Sequence, residues 1–403
     1  MSVSSKMPDE FGSEYETGAS IEDVAASKNN RLKKNAVASK SNGRLVALDA
    51  ARGLAVIGMY LQHFGLNERI GAIVSGNTTL LFVLCGGISY SIMAQRMKDR
   101  ETETTAFRAR MLARAVFVDV IGYLLILLNT SVGGVILPAY AAMFVLALVL
   151  IRRSTRVLVT TAAALTVVAP PLMILGESVL SGAYLLYDIA GGPMSALALA
   201  PVFVAGMAIG RLELTKIRTA LSLTVGGIIM LVVGKGLGAF VLPGLRPSFE
   251  AWLIGVQGAV GAQPDPNAIW PLNMEPPLWH MLLWTQSHSA STFQTLIGLG
   301  VAFLVLGLVF LVPKKTSAVL MPFAAVGRVA LTMYAAQFIV MWGLTLAGIE
   351  YSLEGIPFSD LLVAAATLVT GWLIARLPTG PLESLMRHFD RVFSASRTAP
   401  ASR

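Results

Sequence analysis

Ten apolar stretches run through the sequence, and their length restricts the fold more than any other feature does. Each comes close to the ~20 residues that an α-helix needs to cross a hydrocarbon layer ~30 Å thick. They cover 45–65, 74–95, 109–128, 134–151, 157–175, 194–210, 219–241, 292–312, 318–347 and 358–377. Because lipid offers the peptide group no hydrogen-bond partner, such stretches are helices and not strands. The sequence predicts an all-α polytopic membrane protein with about ten transmembrane helices.

The composition supports a membrane class and argues against metal chemistry. Apolar residues make up 55% of the 403 residues, and charged residues only 13%, whereas soluble domains carry about 25% charged residues. The single cysteine, Cys85, excludes an intrachain disulfide and a cysteine-based metal site. With four histidines in the whole chain, no metal centre is expected.

The distribution of Lys and Arg explains the formal net charge of +8. With ten crossings and the amino terminus inside, twenty-six of the 31 basic residues fall on the cytoplasmic side and two, Arg69 and Arg246, fall outside. The remaining three, Arg52, Lys235 and Arg328, lie within the predicted spans. This asymmetry is the positive-inside signal of a membrane protein. The basic charge therefore indicates topology, with both termini cytoplasmic and some attraction to anionic membrane lipids, and no nucleic-acid partner is expected.

The chain divides into three parts. Residues 1–43 are polar, with no apolar run, and read as a disordered cytoplasmic tail. Residues 44–378 form the transmembrane domain, in which 242–290 is a long external connection rich in Pro and Trp. Residues 379–403 are a cytoplasmic carboxy-terminal tail that begins with a short amphipathic helix around 382–393.

The first predicted helix carries a stripe of ionisable residues. At ~100° per residue, Asp49 and Arg52 share a face, and His63 returns to that face ~16 Å further along the axis from Arg52. Ionisable groups inside a membrane are costly and mark functional sites by default. Asp49 and Arg52 are either a structural ion pair or part of a site. His63 is either a hydrogen-bonded interhelical histidine or a general base, since neutral imidazole accepts a proton near pH 7.

Further polar residues could join this stripe. Arg114 and Asp119 lie in the third predicted helix, and Arg328 and Tyr334 lie in the ninth. Asp119 needs a cation and Arg328 an anion, so these residues are either interhelical contacts or ligand-binding groups. In the outer region, His288 stands directly before the eighth helix. It either caps that helix or forms a second active-site group.

Several motifs resemble those of membrane acyltransferases. The stretch Arg44–Gly53 with His63, followed by Leu81–Ser89, is similar to the opening of the acyltransferase-3 family. Three later motifs resemble bacterial inner-membrane relatives of heparan-α-glucosaminide N-acetyltransferase: Gly134–Tyr140, Ala205–Arg211 and Gly327–Tyr334. Heparan-α-glucosaminide N-acetyltransferase, a lysosomal enzyme, has its active histidine between its first two motif helices. The corresponding segment of this sequence, residues 64–79, contains no histidine. The base is therefore open between His63 and His288.

The resemblance implies an acetyl-CoA-dependent O-acyltransferase of the bacterial inner membrane. It would move an acyl group from cytoplasmic acyl-CoA to a hydroxyl of an envelope glycolipid or glycan, and a narrower expectation is trehalose monomycolate in mycolate-bearing bacteria. His63, His288 and Asp49 would be the catalytic residues. The substrate- and CoA-binding residues would be Arg44, Arg52, Arg114, Asp119, Arg328 and Tyr334.

Two other functions fit the same residues. Paired charges on buried helices also mark the paths of transporters and lipid flippases, although the sequence shows neither an internal repeat nor helices broken at matching positions in two halves. The third hypothesis is a non-catalytic partner of envelope-assembly or lipid-export proteins, with the amino-terminal tail as its docking segment.

Overall fold

The computed structural model describes residues 46–65, 68–98, 104–128, 134–181, 183–261, 276–353 and 355–395. The predicted tail 1–43, Arg44 and the end of the chain after residue 395 lie outside these ranges. Across the described ranges all regular structure is helical, with no strand. The all-α prediction is therefore confirmed.

Fifteen α-helices follow one another in the described ranges, with short 3₁₀ and π turns between some of them. In chain order they are α1 (46–64), α2 (Glu68–Val74), α3 (Asn77–Lys98), α4 (Thr104–Leu128), α5 (Leu137–Leu150), α6 (Thr155–Val179), α7 (Tyr184–Ala190), α8 (Ala196–Ile209), α9 (Ile217–Gly236), α10 (Leu242–Gln257), α11 (Thr292–Leu311), α12 (Met321–Arg328), α13 (Ala330–Leu346), α14 (Ser359–Ile374) and α15 (Pro381–Ala395).

Each of the ten apolar stretches coincides with a helix, but fewer meet the length and composition of a membrane span. In the described part of the chain, five helical segments do so: Asn77–Arg96, Thr105–Leu128, Thr155–Val179, Ile217–Gln257 and Thr292–Leu311. The bent pair α12–α13 brings the number to six. The apolar helices α5, α8 and α14 are shorter. The described part of the chain therefore has five to six candidate membrane spans, while ten crossings and cytoplasmic termini stay predictions.

The predicted connection 242–290 differs from the observed structure at its start. Helix α9 continues through a π turn, Leu237–Val241, into α10, so that Ile217–Gln257 is one helical segment of 41 residues. The predicted helix ended near residue 241 because the apolar stretch 219–241 ends there. Pro243 follows the π turn closely and Pro247 lies inside α10, so the helix continues although each proline removes a backbone donor. Residues 262–275 of the connection lie outside the described ranges.

Glycines set the closest helix crossings. A Cβ at Gly53 of α1 would overlap the carbonyl oxygen of Phe323, and one at Gly327 of α12 would overlap that of Asp49. Helices α3 and α8 cross at Gly87 and Gly206 in the same way. Small residues let helices approach closely where lipid provides no hydrophobic driving force. The crossing of α1 and α12 brings Arg328 to the charged end of α1.

Candidate functional site

Two cavities open at the two ends of α1. We call the first, of about 330 Å³, the histidine cavity. It is lined by Met59, Gln62, His63, Thr79, Gly134, Ile136, Pro193, Met194, His288, Tyr334, Gln337 and Phe338. We call the second, of about 450 Å³, the arginine cavity. It is lined by Leu48, Asp49, Arg52, Ser89, Ile92, Met93, Arg96, Arg114, Arg328, Val329, Pro378, Thr379, Gly380, Glu383, Met386 and Arg387.

The lining residues show that successive long helices run in opposite directions. The histidine cavity takes the carboxyl end of α1, the amino end of α3, the connections before α5, α8 and α11, and the middle of α13. The arginine cavity takes the amino end of α1, the carboxyl end of α3, the amino half of α4, the α12–α13 junction and the α14–α15 connection. Each cavity is therefore assembled from helix ends that are far apart in the chain.

Asp49 and Arg52 form the predicted ion pair at the arginine cavity. Arg52 Nη1 lies 3.0 Å from Asp49 Oδ1, and both side chains are about a fifth exposed, at 21% and 23%. Arg52 Nη2 donates a 2.6 Å hydrogen bond to Ser89 Oγ, and Nη1 donates to the carbonyl oxygen of Gly327 at 3.3 Å. One guanidinium thus joins α1, α3 and α12. The pair both stabilises the crossing and presents charge to the cavity.

The arginine cavity is strongly positive. Arg52, Arg96, Arg114, Arg328 and Arg387 line it, against the carboxylates of Asp49 and Glu383. Of the arginines, Arg96, Arg328 and Arg387 are exposed. Such a group suits an anionic ligand, because guanidinium groups bind phosphate in a bidentate manner.

Helix α15 closes one side of the arginine cavity through two carboxylates. Glu383 Oε1 accepts hydrogen bonds from the backbone N–H groups of Leu331 and Thr332 at 2.8 and 3.1 Å, and so caps the start of α13. Asp390 Oδ2 lies 2.7 Å from both Nε and Nη2 of Arg114. The amphipathic helix predicted around 382–393 is confirmed, and Arg114 holds it against α4.

His63 and His288 both face the histidine cavity, as the hypothesis of two active-site histidines requires. Gln62 Nε2 lies 2.9 Å from His288 Nε2, so the amide donates to the ring nitrogen and leaves the imidazole proton on Nδ1. Burial lowers the pKa of His288, which lies in the loop before α11, because desolvation disfavours the imidazolium form. His288 is therefore a neutral imidazole of one tautomer.

The loop that carries His288 is held in an unusual backbone conformation. His288 has φ +62° and Ala290 has φ +48°, values that residues with a Cβ rarely adopt. Ser287 Oγ donates to the carbonyl oxygen of Ser75 at 2.9 Å, and Ser291 Oγ caps α11 by accepting from Gln294 N at 3.0 Å. These contacts hold the strained conformation, as is common at functional sites.

Tyr334 and Gln337 face the same cavity from one side of α13. Tyr334 is only 2% exposed, and its hydroxyl oxygen accepts a hydrogen bond from Ile136 N at 2.9 Å. Gln337 is 1% exposed, and its Oε1 has no hydrogen-bond partner. Neither Gln62 nor Gln337 was predicted as a site residue. Their signal was weak: Gln62 adjoins His63, and Gln337 follows Tyr334 by one helical turn.

A buried partition separates the two cavities. Along α3, Thr79 lines the histidine cavity and Ser89 the arginine cavity, ~15 Å apart at 1.5 Å per residue. Between them Cys85 is fully buried, and the Phe82 carbonyl oxygen accepts a hydrogen bond from Tyr140 Oη at 2.8 Å. No residue appears in both linings. A ligand that reached from one cavity to the other would pass these side chains.

Three of the proposed site residues do not meet His63. Asp49 precedes it by fourteen residues on α1, a separation of ~21 Å, so Asp49 cannot assist His63 by contact. Asp119 lines neither cavity and lies near Asp188, whose carboxylate accepts a hydrogen bond from Tyr123. The charged neighbour of Asp119 is thus the carboxylate of Asp188, whereas the sequence had suggested a cation. Arg44 lies outside the described residues.

The described ranges contain no group of three or more His, Cys, Asp or Glu side chains arranged to hold a metal ion. Arg328, for which an anionic partner was expected, acts on the charge of Asp49 across the α1–α12 crossing. Asp49 is therefore the acidic neighbour of both Arg52 and Arg328, and the three side chains belong to one charged cluster.

Comparison with protein families gave one match. Residues 266–392 match the family described as "Protein of unknown function (DUF418)". The matched segment is less than a third of the chain and includes α11 to α14 and most of α15, and it carries His288, Arg328, Tyr334 and Gln337. A comparison with curated proteins found no match. The class defined so far is an all-helical membrane protein with a DUF418-like carboxy-terminal segment.

Proposed function

We propose that this protein is a membrane O-acyltransferase, which moves an acetyl or longer acyl group from acyl-CoA to a hydroxyl of an envelope glycolipid or glycan. One observation carries the proposal: helix α1, with its stripe of ionisable residues, reaches a cavity lined by five arginines at one end and a cavity with two histidines at the other.

The arginine cavity is the proposed donor site. Coenzyme A carries phosphate groups, and the exposed guanidinium groups of Arg96, Arg328 and Arg387 offer partners for them. The ion pairs of Arg52 and Arg114 would keep the walls in place while the other three bind. On the proposed topology this cavity opens to the cytoplasm of a bacterial inner membrane, where acyl-CoA is available.

The histidine cavity is the proposed acceptor site, and His63 is the proposed base. Because the Gln62 amide occupies His288 Nε2, His288 has no free lone pair there to accept a proton. His63 would take the proton of the acceptor hydroxyl, the oxygen would form a bond to the thioester carbonyl carbon, and the carbon–sulfur bond would break to release CoA. In the alternative route His63 first accepts the acyl group and then passes it on.

In this proposal the thioester at the end of the pantetheine arm must reach from the arginine cavity to the histidine cavity. Arg52 and His63 are ~16 Å apart along α1, a distance that an extended pantetheine arm can bridge. The arm would pass the partition beside Cys85 and Phe82, so the helices must separate slightly for transfer. Trehalose monomycolate is a specific acceptor that we include among the glycolipids to be tested.

A lipid transporter or flippase is the second proposed function. The break between α12 and α13, which bends the pair by 64° beside Arg328, is the observation that favours it, since broken helices at charged sites are typical of transporters. Movement of a labelled glycolipid across a vesicle bilayer without acetyl-CoA would support this alternative.

The decisive experiment is acetyl transfer by the purified protein in lipid nanodiscs, with labelled acetyl-CoA and glycolipid acceptors that include trehalose monomycolate. We expect transfer to the acceptor, or slow hydrolysis of acetyl-CoA without one. His63→Ala should lower the rate by at least ~100-fold. His280→Ala is the matched control, because His280 lines neither cavity and contacts Val260 O and Trp284. The enzyme proposal fails if the wild type neither transfers nor hydrolyses.

A further inference from the structure

The histidine cavity lacks charged side chains. Of the twelve described residues that line it, none is Asp, Glu, Lys or Arg, and burial lowers the pKa of His288, which disfavours its charged form. Half of the lining residues are apolar or glycine, and the other half carry polar side chains, namely Gln62, His63, Thr79, His288, Tyr334 and Gln337. An ion would lose its hydration on entering this cavity and gain no counter-charge, at a cost of several kcal/mol. The cavity therefore favours an uncharged ligand.

Gln337 provides the polar group in this cavity that needs a partner. Its side chain is 1% exposed, it lines the cavity, and its Oε1 makes no hydrogen bond. An unpaired buried amide oxygen costs about 1–3 kcal/mol, so such groups call for a specific explanation. A ligand hydroxyl or N–H donating to Oε1 would remove that cost.

Two neighbouring polar groups of the lining are already engaged. The Gln62 amide donates to His288, and the Tyr334 hydroxyl oxygen accepts from Ile136 N. Gln337 stands one turn beyond Tyr334 on α13, and the next residue, Phe338, has its ring centroid 6.1 Å from that of His63. Gln337 and His63 line the same cavity, so a group bound at Gln337 would share that cavity with the proposed base.

We propose that Gln337 Oε1 accepts a hydrogen bond from a ligand hydroxyl, so that the histidine cavity selects an uncharged polyhydroxyl head group over a charged one. The volume of about 330 Å³ stands at the small end of ligand sites, which fits a single small head group. This inference deepens the proposed function, on which it rests for calling the ligand an acyl acceptor.

The test measures binding to the full-length protein in phosphatidylcholine nanodiscs, with empty nanodiscs as background. The probes share one acyl chain: trehalose monolaurate is neutral, lauryl phosphate is anionic and laurylamine is cationic. We expect the neutral ester to bind most tightly. Gln337→Met, similar in size, should weaken its binding at least about tenfold, because the ligand hydroxyl loses its acceptor.

Thermal stability separates a ligand-binding role from a structural one. Without ligand, Gln337→Met should raise the melting temperature by ~2–4 °C, since the substitution removes a buried unpaired oxygen. Gln95→Met is the matched control. Gln95 Nε2 donates to the carbonyl oxygen of Gly210 at 3.2 Å, and the residue lines neither cavity. The control should melt slightly lower and bind the ester as the wild type does.

Gln337→Asn provides a second variant if the methionine protein does not fold. It keeps the amide but withdraws it by one methylene group, so it should weaken binding without raising the melting temperature. The proposal is overturned if Gln337→Met binds the ester as tightly as the wild type, if it melts lower as Gln95→Met does, or if lauryl phosphate binds the wild type best.

The same proteins distinguish this inference from the proposed function. If the wild type binds the ester and Gln337→Met does not, yet neither transfers nor hydrolyses acetyl-CoA, the ligand site stands and the acyltransferase proposal falls. If acetyl transfer occurs with the same acceptor KM in wild type and Gln337→Met, the acyltransferase proposal stands and the role of Gln337 falls.

Discussion

His63 and His288 occupy one cavity although 225 positions separate them, and hydrogen bonding gives them different properties. Gln62 donates to His288 Nε2 and thereby selects its tautomer, while the left-handed backbone at φ +62° fixes where its ring stands. No hydrogen bond of this kind occupies His63 among the described contacts. On this ground we propose His63 as the base, which the sequence motifs left open, and His288 as a positioning group.

The pH dependence of stability should reveal the buried His288. Burial lowers its pKa from the ordinary value of 6.5, so between that value and the lowered one the unfolded chain binds more protons than the folded protein. Stability from this group is then complete above pH 6.5 and is lost as the pH falls towards the lowered pKa. Melting temperatures of wild type and His288→Gln, measured from pH 8 to pH 4.5, should diverge above this window and converge below it.

His388→Gln is the control for this experiment, because His388 is exposed on α15. Its melting curve should follow that of the wild type across the series. A constant difference between wild type and His288→Gln at every pH would contradict the assignment, since it would mean that His288 contributes packing only.

At the scale of helices, the crossing of α1 and α12 depends on Gly53 and Gly327. Gly327→Ala would drive a methyl group into the carbonyl oxygen of Asp49. Separation of the helices should then cost about 1–3 kcal/mol and weaken the bond from Arg52 to the Gly327 carbonyl oxygen. The measurement is the melting temperature in detergent, which we expect to fall.

Gly343→Ala is a matched control on the adjoining helix α13, where no atom lies within 4 Å of the added Cβ. Alanine there should leave the melting temperature unchanged or raise it slightly, because alanine stabilises a helix by ~0.5–1 kcal/mol relative to glycine. Equal melting temperatures for the two variants would show that the crossing tolerates a wider separation.

Helix α15 is held to the rest of the protein by Glu383 at the start of α13. Glu383→Ala removes the acceptor of two backbone N–H groups and of the Thr332 hydroxyl, at a cost of about 1–2 kcal/mol. Loss of these contacts should loosen α15, so we expect faster tryptic cleavage within it. Because Glu383 and Arg387 line the arginine cavity, which is the proposed donor site, we also expect a higher KM for acetyl-CoA.

Glu213→Ala is the control for that experiment. Glu213 pairs with Lys216, and their side chains are 69% and 60% exposed, so the pair should contribute little. Cleavage and KM should match the wild type. If Glu383→Ala behaves the same way, α15 does not depend on this contact.

At the scale of the whole molecule, the orientation in the membrane is testable because the single cysteine, Cys85, is fully buried. Gln286→Cys places an exposed thiol in the loop before α11, near the histidine cavity, and Glu213→Cys places one between α8 and α9. In intact cells, a membrane-impermeant maleimide should label Gln286→Cys at once and Glu213→Cys only after permeabilisation. The reverse pattern would invert the proposed donor and acceptor sides.

Much of the secondary structure could be predicted because a helix in lipid satisfies its own backbone within one apolar stretch. The ten stretches and the amphipathic α15 were visible for that reason. The length of α9–α10 was not, since the helix continues through a π turn and past Pro243 and Pro247, where the composition suggests an end. Of the site, the stripe on α1 was visible because Asp49, Arg52 and His63 share one helix.

Contacts between distant segments were decided by the tertiary structure alone. The residue pattern of α1 shows that Asp49 and His63 share a face, but only the packing shows that they open into two different cavities. It also shows that Gln337 and His288 line one of them and that Asp119 lines neither. Helix formation depends on neighbours in the chain, whereas the approach of two helices depends on glycine crossings and shape complementarity across the fold. The sequence by itself thus determined which segments are helices, and the packing decided which of their polar groups form a site.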